Sequence, residues 1–288
     1  MSTKTNPDSA NPAHPAAVLE NKGQLSLLFI GAGSAFTKKF YQTNLLVVKG
    51  SDHVLIDCGT RTPEALSRLG LSVLKIRNYL ITHSHADHIG GLEEVMLMNR
   101  YVGKTRPTMI APARYRRYLW DKSLKGGAAY NERVNGKWLR FDDLWDSLDP
   151  VPVPGADREL SEVQLGSIKL TLFRTKHIPD SAPTWRSSAP SYGVLIDESI
   201  LFTGDTRFDP DLIKFMEDRY TLKAIFHDCQ FFDGGVHTSI NELGRLPAGT
   251  RAKTWLMHYG DAVENQEDTM HALGFAGFAR QWEPYEYT

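Results

Sequence analysis

The segment Ile81-Thr82-His83-Ser84-His85-Ala86-Asp87-His88-Ile89-Gly90-Gly91 decides how the rest of the chain is interpreted. Three histidines and a carboxylate lie within six positions, directly after an apolar, β-branched run. Because side chains alternate along a strand, His83 and His85 should point to the same side, and a helix starting near Asp87 would turn Asp87 and His88 back toward them. Imidazole and carboxylate are ligands that zinc and neighbouring metals prefer. Ordinary surface or capping histidines do not explain this spacing, which predicts a metal site.

Composition limits the class of protein. The chain has 288 residues, 41% of them hydrophobic, and can bury the core of one large domain or of two fused halves. A formal net charge of −1 gives no general attraction to nucleic acid or acidic membranes. The two cysteines, Cys58 and Cys229, form no CxxC pair, which favours a reducing, cytoplasmic location. No apolar run approaches the roughly 18 residues of a membrane helix.

The first residues differ in composition from the rest. Residues 1–22 are polar and rich in Pro, Ala and Asn, and they contain no apolar segment of a secretory signal. We expect them to form a disordered tail. The folded domain is therefore predicted to span 23–288.

Strands and helices are both predicted along this domain. Strands are expected at 24–30, 44–48, 53–56, 167–174, 192–197, 199–203 and 253–257. Helices are expected at 63–71, 92–102 and 240–246. A Pro- and Gly-rich connection at 149–155 separates two strand-containing halves. Periodicity alone supports only a mixed α and β fold.

The motif His-x-His-x-Asp-His resembles the signature of the metallo-β-lactamase-fold hydrolases. His177, Asp205 and His258 each follow a predicted strand and match the remaining motifs of that family. The resemblance implies an α/β fold, a four-layer αβ/βα sandwich with a dinuclear metal site at one edge. It further implies that one metal is held by His83, His85 and His177 and the other by Asp87, His88 and His258, with Asp205 bridging.

The implied chemistry is hydrolysis. Two divalent ions, zinc by preference and manganese as an alternative, can share a water molecule and lower its pKa, which provides a metal-bound hydroxide. Asp57 ends a strand facing the site, and we expect it to accept a ring N–H from a ligand histidine. Asp205 argues against zinc β-lactamases that have a cysteine ligand at this position. The fold does not choose among lactams, lactones, thioesters and phosphodiesters.

Two further histidines favour phosphodiesters. The segments His227-Asp228-Cys229-Gln230 and His237-Thr238-Ser239 resemble motifs of the phosphodiesterase branch, which includes ribonuclease Z. In that branch a histidine near the metals contacts phosphate and protonates the leaving oxygen, work for which imidazole is suited. The predicted catalytic residues are therefore His237, Asp228 as its orienting partner, and Asp87. The alternative for His237 is a turn or helix-capping role.

The sequence motifs are compatible with more than one substrate class. Ribonuclease Z has Ser-Thr where this chain has Thr238-Ser239, and no long basic arm for transfer RNA is present. Segments 31–36, 227–230 and 256–261 look more like the anti-Pycsar cyclic-nucleotide phosphodiesterases. That resemblance implies 3′,5′-cyclic nucleotides as substrates, a homodimer, and no membrane partner. The alternatives are a ribonuclease Z-like RNA endonuclease, a lactonase with the same seven ligands, and an RNA-binding module that has lost catalysis.

Two other stretches have possible binding roles. Residues 104–140 contain ten basic and two acidic residues, followed by acidic residues at 142–149. They form either an electropositive rim for a phosphorylated substrate or a solvated face paired with its acidic neighbour. Residues 178–191 are rich in Pro and Ser and leave directly from His177, so we expect a loop at the mouth of the site. Trp185 and Arg186 on this loop could stack on a base or bind phosphate.

Overall fold

The computed structural model describes residues 19–288. Strands of the first half are β1 (Leu25–Gly31), β2 (Asn44–Lys49), β3 (Asp52–Ile56), β4 (Asn78–Leu80), β5 (Thr108–Ile110), β6 (Arg133–Val134), β7 (Lys137–Trp138) and β8 (Asp146–Leu148). Strands of the second half are β9 (Val151–Pro152), β10 (Leu160–Leu165), β11 (Ile168–Arg174), β12 (Tyr192–Ile196), β13 (Ile200–Phe202), β14 (Ala224–Asp228), β15 (Thr254–Met257), β16 (Gly277–Phe278) and β17 (Pro284–Tyr287).

Ten α-helices connect these strands within the described residues. They are α1 (Thr62–Arg68), α2 (Ala86–Ile89), α3 (Leu92–Met98), α4 (Ala113–Leu119), α5 (Lys125–Ala128), α6 (Phe141–Leu144), α7 (Pro210–Glu217), α8 (Ile240–Leu243), α9 (Ala248–Arg251) and α10 (Glu267–Ala272). α7 presents one buried stripe, formed by Leu212, Ile213 and Met216. In the described part of the chain, no helix has both the length and the apolar character needed to span a bilayer.

The strands form two large mixed sheets. The first has the order β17-β1-β2-β3-β4-β5-β8 and the second the order β16-β15-β14-β13-β12-β11-β10-β9, while β6 and β7 form a separate hairpin. Phe29 of β1 contacts Phe226 of β14, with ring centroids 5.1 Å apart, so the two sheets share one apolar core. The predicted αβ/βα sandwich is confirmed.

Parallel pairing brings strand ends to one edge. β3, β4 and β5 are parallel neighbours in the first sheet, and β13, β14 and β15 are parallel neighbours in the second. The carboxyl ends of parallel strands lie at the same edge of a sheet, and loops leaving them can meet. The loops after β3, β4, β13 and β15 begin at residues 57, 81, 203 and 258, and these loops carry most of the predicted site.

Several predicted boundaries require adjustment. The helix expected at 92–102 ends as α3 at Met98 and continues as one wider turn over Asn99–Gly103. The sequence interpretation missed β10 and β17, although β17 pairs antiparallel with β1 and forms an edge of the first sheet. β17 lies many residues after the last ligand motif, and its only signal in the sequence is a short aromatic run.

Residues 1–18 of the predicted tail, 1–22, lie outside the described residues. Its last residues contact the domain. Leu19 packs against the core, and the backbone N–H of Asn21 donates to the carbonyl of Gly50 at 2.8 Å. The Asn21 side chain accepts from the Gly50 N–H at 2.7 Å in return. Among the described residues, contacts with the domain are therefore already present at Leu19, four residues before the predicted start at 23.

Candidate metal centre

Seven predicted ligands reach the same edge of the sandwich from five segments of the chain. His83 and His85 lie between β4 and α2, where His85 is the residue that precedes the helix. Asp87 and His88 lie on α2, so the short helix turns them back toward the end of β4. The other three, His177, Asp205 and His258, follow β11, β13 and β15. Their side chains are buried except for that of His85, which is partly exposed.

One group contains three of the histidines and Asp205. Its members are His83, His85, His177 and Asp205, each with a ligand-type atom within 4.8 Å of the others. His83 Nε2 lies 3.0 Å from His85 Nδ1, and His177 Nε2 lies 3.2 Å from the same atom. Asp205 Oδ2 lies 3.7 Å from His83 Nε2. Three imidazoles and one carboxylate can thus face a common point.

The second group uses the same carboxylate oxygen. Its members are Asp87, His88, Asp205 and His258. His88 Nε2 lies 3.2 Å from Asp87 Oδ2 and 3.2 Å from Asp205 Oδ2. His258 Nε2 lies 3.3 Å from Asp87 Oδ2 and 3.6 Å from Asp205 Oδ2. Asp205 Oδ2 therefore lies between two ligand groups, which is the position that a bridging oxygen occupies.

The charges of this site are compatible with bound cations. Among residues 19–288, the carboxylates of Asp57, Asp87 and Asp205 form ion pairs with histidines alone. His88 Nε2 and Asp205 Oδ2 are buried and, despite their proximity, make no hydrogen bond. Leaving such atoms unpaired in the interior is unfavourable. A metal ion would bind both atoms, so the residues present fit a dinuclear centre.

The protonation of the histidines agrees with that fit. Burial holds the pKa of His83 well below its usual range and lowers the pKa of His177 to about 4, so both rings are neutral at pH 7, as ligands must be. Burial also opposes charge on His88, but Asp205, Asp87 and Asp57 outweigh it and raise the pKa of His88 well above its usual range. Without metal, a proton on His88 balances part of the excess negative charge.

Asp57 orients one of the ligands, as predicted. Its Oδ2 accepts hydrogen bonds from His88 Nδ1 at 2.7 Å and from the Thr82 hydroxyl at 2.7 Å. Its Oδ1 accepts the Thr82 backbone N–H at 2.8 Å. The backbone φ of Asp57 is +64°, a left-handed conformation that asparagine and aspartate tolerate better than other side chains. The structure thus contains the hydrogen bond predicted for Asp57, from the ring of the predicted ligand His88.

A backbone group orients another ligand. His177 donates its Nδ1–H to the Val236 carbonyl at 2.9 Å, which leaves Nε2 as the lone-pair nitrogen facing the first group. Val236 directly precedes His237. The loop that fixes the ring of His177 therefore also presents the predicted catalytic histidine.

His237 lies beside both ligand groups and pairs with Asp228. Its Nδ1 is 3.0 Å from Asp228 Oδ2, and its ring centroid is 4.6 Å from that of His258 and 5.1 Å from that of His177. Burial disfavours its charged form, but the hydrogen bond to Asp228 and the charge of Asp205 raise its pKa to about 9. Asp228 also receives the Thr206 backbone N–H at 3.2 Å. The structure thus brings His237, Asp228 and Asp87 to one site.

An apolar cavity of about 500 Å³ opens beside His237 and His258. Its lining includes Phe36, Phe232 and Val236. The sequence interpretation did not identify Phe36 or Phe232. The available signal was a phenylalanine among loop-forming residues, in Ser34-Ala35-Phe36 and in Phe232-Asp233-Gly234.

The loop after His177 carries Trp185 and Arg186, which do not line the cavity beside His237. It is irregular, as expected, but Trp185 and Arg186 line a separate cavity with Arg158 and Asp209. The Trp185 ring lies 4.4 Å from the guanidinium carbon of Arg186 and 5.6 Å from that of Arg158. Stacking of the Trp185 ring on a substrate base stays a prediction.

The basic stretch at 104–140 pairs in part with the acidic residues that follow it. Arg106 lies 2.7 Å from Asp146, and Arg116 forms an ion pair with Asp149. Arg140 lies 3.8 Å from Asp143. These contacts favour the solvated, paired face over an electropositive rim.

Comparisons with known proteins point to one family. Residues 25–285 match the family described as anti-Pycsar protein Apyc1. An anti-Pycsar protein Apyc1 of Bacillus phage BSP38 is 37% identical over 263 residues, which cover 89% of this chain and 96% of that protein. The protein of the same name from Paenibacillus harenae is 35% identical over 261 residues, covering 90% of this chain and 98% of that one.

Solved structures support the fold. The metallo-β-lactamase-fold protein YhfI of Bacillus subtilis is 17% identical with a TM-score of 0.65, covering 92% of this chain and 100% of its own. A diphosphatase of the PhnP family is 18% identical with a TM-score of 0.65, covering 92% of this chain and 98% of its own. At these identities the likeness concerns the arrangement of the two sheets and their helices.

Proposed function

The chain belongs to the Apyc1 family of anti-Pycsar proteins, and from this membership we propose that it hydrolyses 3′,5′-cyclic nucleotides at the candidate metal centre. The observation that carries the proposal is the pair of ligand groups that share Asp205 Oδ2. A phosphodiester needs an activated nucleophile on one side of phosphorus and a proton donor for the leaving oxygen on the other. Residues suited to both tasks meet at this edge.

The first task belongs to the seven ligands. We propose that His83, His85 and His177 hold one ion, and that Asp87, His88 and His258 hold the other, with Asp205 between them. Histidine and carboxylate donors suit zinc, and manganese is compatible with the same set. When bound, two such ions supply Lewis acidity and an activated water molecule. Asp57, Thr82 and the Val236 carbonyl hold His88, His83 and His177 in the required ring orientations.

The second task falls to His237. Its Nδ1–H donates to Asp228, so Nε2 carries the proton that can be transferred. Water adds to phosphorus and releases one proton to solvent, the bond from phosphorus to one ribose oxygen breaks, and that oxygen takes the Nε2 proton. The imidazole then regains a proton from solvent. The product is a nucleoside monophosphate, and Asp228 stabilises the charged ring before transfer. Nearby divalent ions would lower the pKa of His237 from about 9, toward the range in which the proton is released near neutral pH.

A lactone or an RNA substrate is supported less well. Lactone opening has no phosphate to contact and no obvious use for the His237–Asp228 pair. Transfer RNA requires a broad basic surface, whereas arginines of the basic stretch pair with acidic residues. The proposed partner is therefore a small cyclic nucleotide. By family resemblance the working unit is a homodimer, which light scattering of the purified chain would test.

A substrate panel on metal-defined protein tests the function. The panel contains cyclic mononucleotides, bis(p-nitrophenyl) phosphate, a precursor transfer RNA and an acyl-homoserine lactone. We expect turnover of the cyclic nucleotides and about two metal ions per chain by elemental analysis. His83→Ala and Asp205→Ala should lose metal and turnover together. His271→Ala removes an exposed surface histidine and serves as the matched control.

Two results would overturn the proposal. One is a fully active protein that contains no transition metal and resists chelators. The other is a wild-type protein that opens the lactone, or cleaves the RNA, and leaves every cyclic nucleotide intact.

A further inference from the structure

The cavity beside the metal centre has a feature that the hydrolytic chemistry does not use. Phe36 and Phe232 line it, and their side chains are 87% and 67% exposed, more than any other Phe, Tyr or Trp in residues 19–288. Leaving a phenylalanine in water forgoes the stabilisation that its burial would provide. Two such residues at the rim of one cavity form an apolar surface that a ligand can cover.

Both residues belong to loops with defined internal contacts. The carboxylate of Asp261 accepts the backbone N–H groups of Lys38 and Lys39, each at 3.0 Å, and the hydroxyl of Thr37. The Ser34 N–H donates to the Tyr259 carbonyl at 2.9 Å. The loop carrying Phe36 is thus bound on both sides to the segment that directly follows the ligand His258.

The second loop is fixed in the same manner to the catalytic side. Gln230 Nε2 donates to the carbonyls of Phe232, at 2.8 Å, and Gly234. The backbone N–H of Gln230 donates to the Thr238 carbonyl at 2.8 Å and closes the loop immediately after His237. Phe232 is therefore held at a set position relative to His237.

We propose that Phe36 and Phe232 bind the nucleobase of the substrate by stacking. The proposal rests on the proposed function, because His237, the proposed proton donor, and His258 line the same cavity. A volume of about 500 Å³ lies within the range of small-molecule sites. Aromatic side chains contribute roughly 1–3 kcal/mol of stacking per base, which corresponds to about five- to 150-fold in affinity. The two residues are thus positioning residues for the base.

The test compares a substrate that has a base with one that lacks it. Phe36→Ala, Phe232→Ala and the double variant are assayed on cyclic adenosine monophosphate and on the cyclic phosphate of 1,4-anhydroribitol, the same sugar without a base. Each single change should lower kcat/KM for the nucleotide about tenfold, chiefly through KM, and leave the base-free compound within twofold. Phe36→Trp should restore activity. Tyr130→Ala, at an exposed tyrosine that does not line the cavity, is the control.

The outcomes separate the two proposals. A wild type that hydrolyses the nucleotide together with unchanged variants would refute stacking and leave the proposed function standing. Equal losses on both substrates, or a change in oligomeric state by light scattering, would assign the phenylalanines a structural or interface role and refute the stacking role as well. A wild type inactive on all cyclic nucleotides would refute the proposed function, and base binding with it.

Discussion

Replacing Asp57 by asparagine should weaken both the fold and the metal site, although no proposed ligand is changed. Asparagine accepts the left-handed backbone at φ +64°, so the substitution tests the carboxylate alone. Both oxygens of Asp57 are in use: Oδ1 accepts one hydrogen bond and Oδ2 accepts two. In either orientation, the amide NH₂ group of Asp57→Asn faces at least one buried donor.

The magnitude follows from these three bonds. The least costly orientation keeps both bonds at the Oδ2 position and leaves the Thr82 N–H unpaired, which costs about 1–3 kcal/mol. The bond from His88 loses the assistance of a charged acceptor, which removes about another 1 kcal/mol. We therefore expect a loss of about 2–4 kcal/mol in unfolding free energy. Because His88 also loses the partner that fixes its ring, metal affinity should fall about 10- to 100-fold.

Two measurements check this expectation. Urea unfolding of the chelated protein gives the stability change, and competition with a fluorescent zinc chelator gives the affinity of each variant. Asp268→Asn, at an exposed helix position, controls for loss of one negative charge. An Asp57→Asn protein with zinc affinity within twofold of wild type would show that the carboxylate does not orient His88. Destabilisation below about 1 kcal/mol would show that its three hydrogen bonds are dispensable.

The remaining predictions concern the catalytic pair, the bound ions, pH and the Phe36 loop. His237→Ala should retain both ions yet reduce cyclic-nucleotide hydrolysis roughly 10²–10⁴-fold, with a much smaller loss on p-nitrophenyl esters, whose leaving group needs no proton. Asp228→Asn should give an intermediate loss in the same assays, since it leaves the imidazole in place without its charged partner. Adding zinc to chelated protein should raise Tm, by the equivalent of about 2.7 kcal/mol at one hundred times Kd, and His271→Ala should respond equally. Without metal, the unfolding free energy should fall as pH decreases from 6.5 to 4, because the pKa of His177 is lower in the folded than in the unfolded chain. In urea titrations, His177→Gln should show a smaller fall over this range. Asp261→Asn should raise KM for cyclic nucleotides without changing metal content, because it loosens the loop that carries Phe36.

The sequence could indicate the ligands because each one is tied to the end of a strand. His83, His85, Asp87 and His88 are nearly contiguous, so strand and helix geometry alone predicts that they meet. His177, Asp205 and His258 follow strands too, but nothing in their spacing states that these strands lie side by side. Their assignment needed the family resemblance. The parallel order of β13, β14 and β15 supplies the physical reason for Asp205 and His258. β11 runs in the same direction as β13, because both pair antiparallel with β12, and this brings His177 to the same edge.

The cavity could not be predicted in the same way. Phe36 and Phe232 are far apart in the chain, and nothing in the sequence indicates that their loops line one cavity. Hydrogen bonds of Gln230 within its own loop hold Phe232. The Phe36 loop depends on Asp261, more than 220 residues later, through contacts that no periodicity encodes. The site therefore has two parts with different sequence requirements. Strand ends position the predicted metal ligands, whereas loops between them determine what lies next to those ligands. Related chains with the same seven predicted ligands but other residues at positions 36 and 232 should bind metal equally and differ in KM for cyclic nucleotides. Exchanging residues 34–39 between two such relatives and measuring KM would test this.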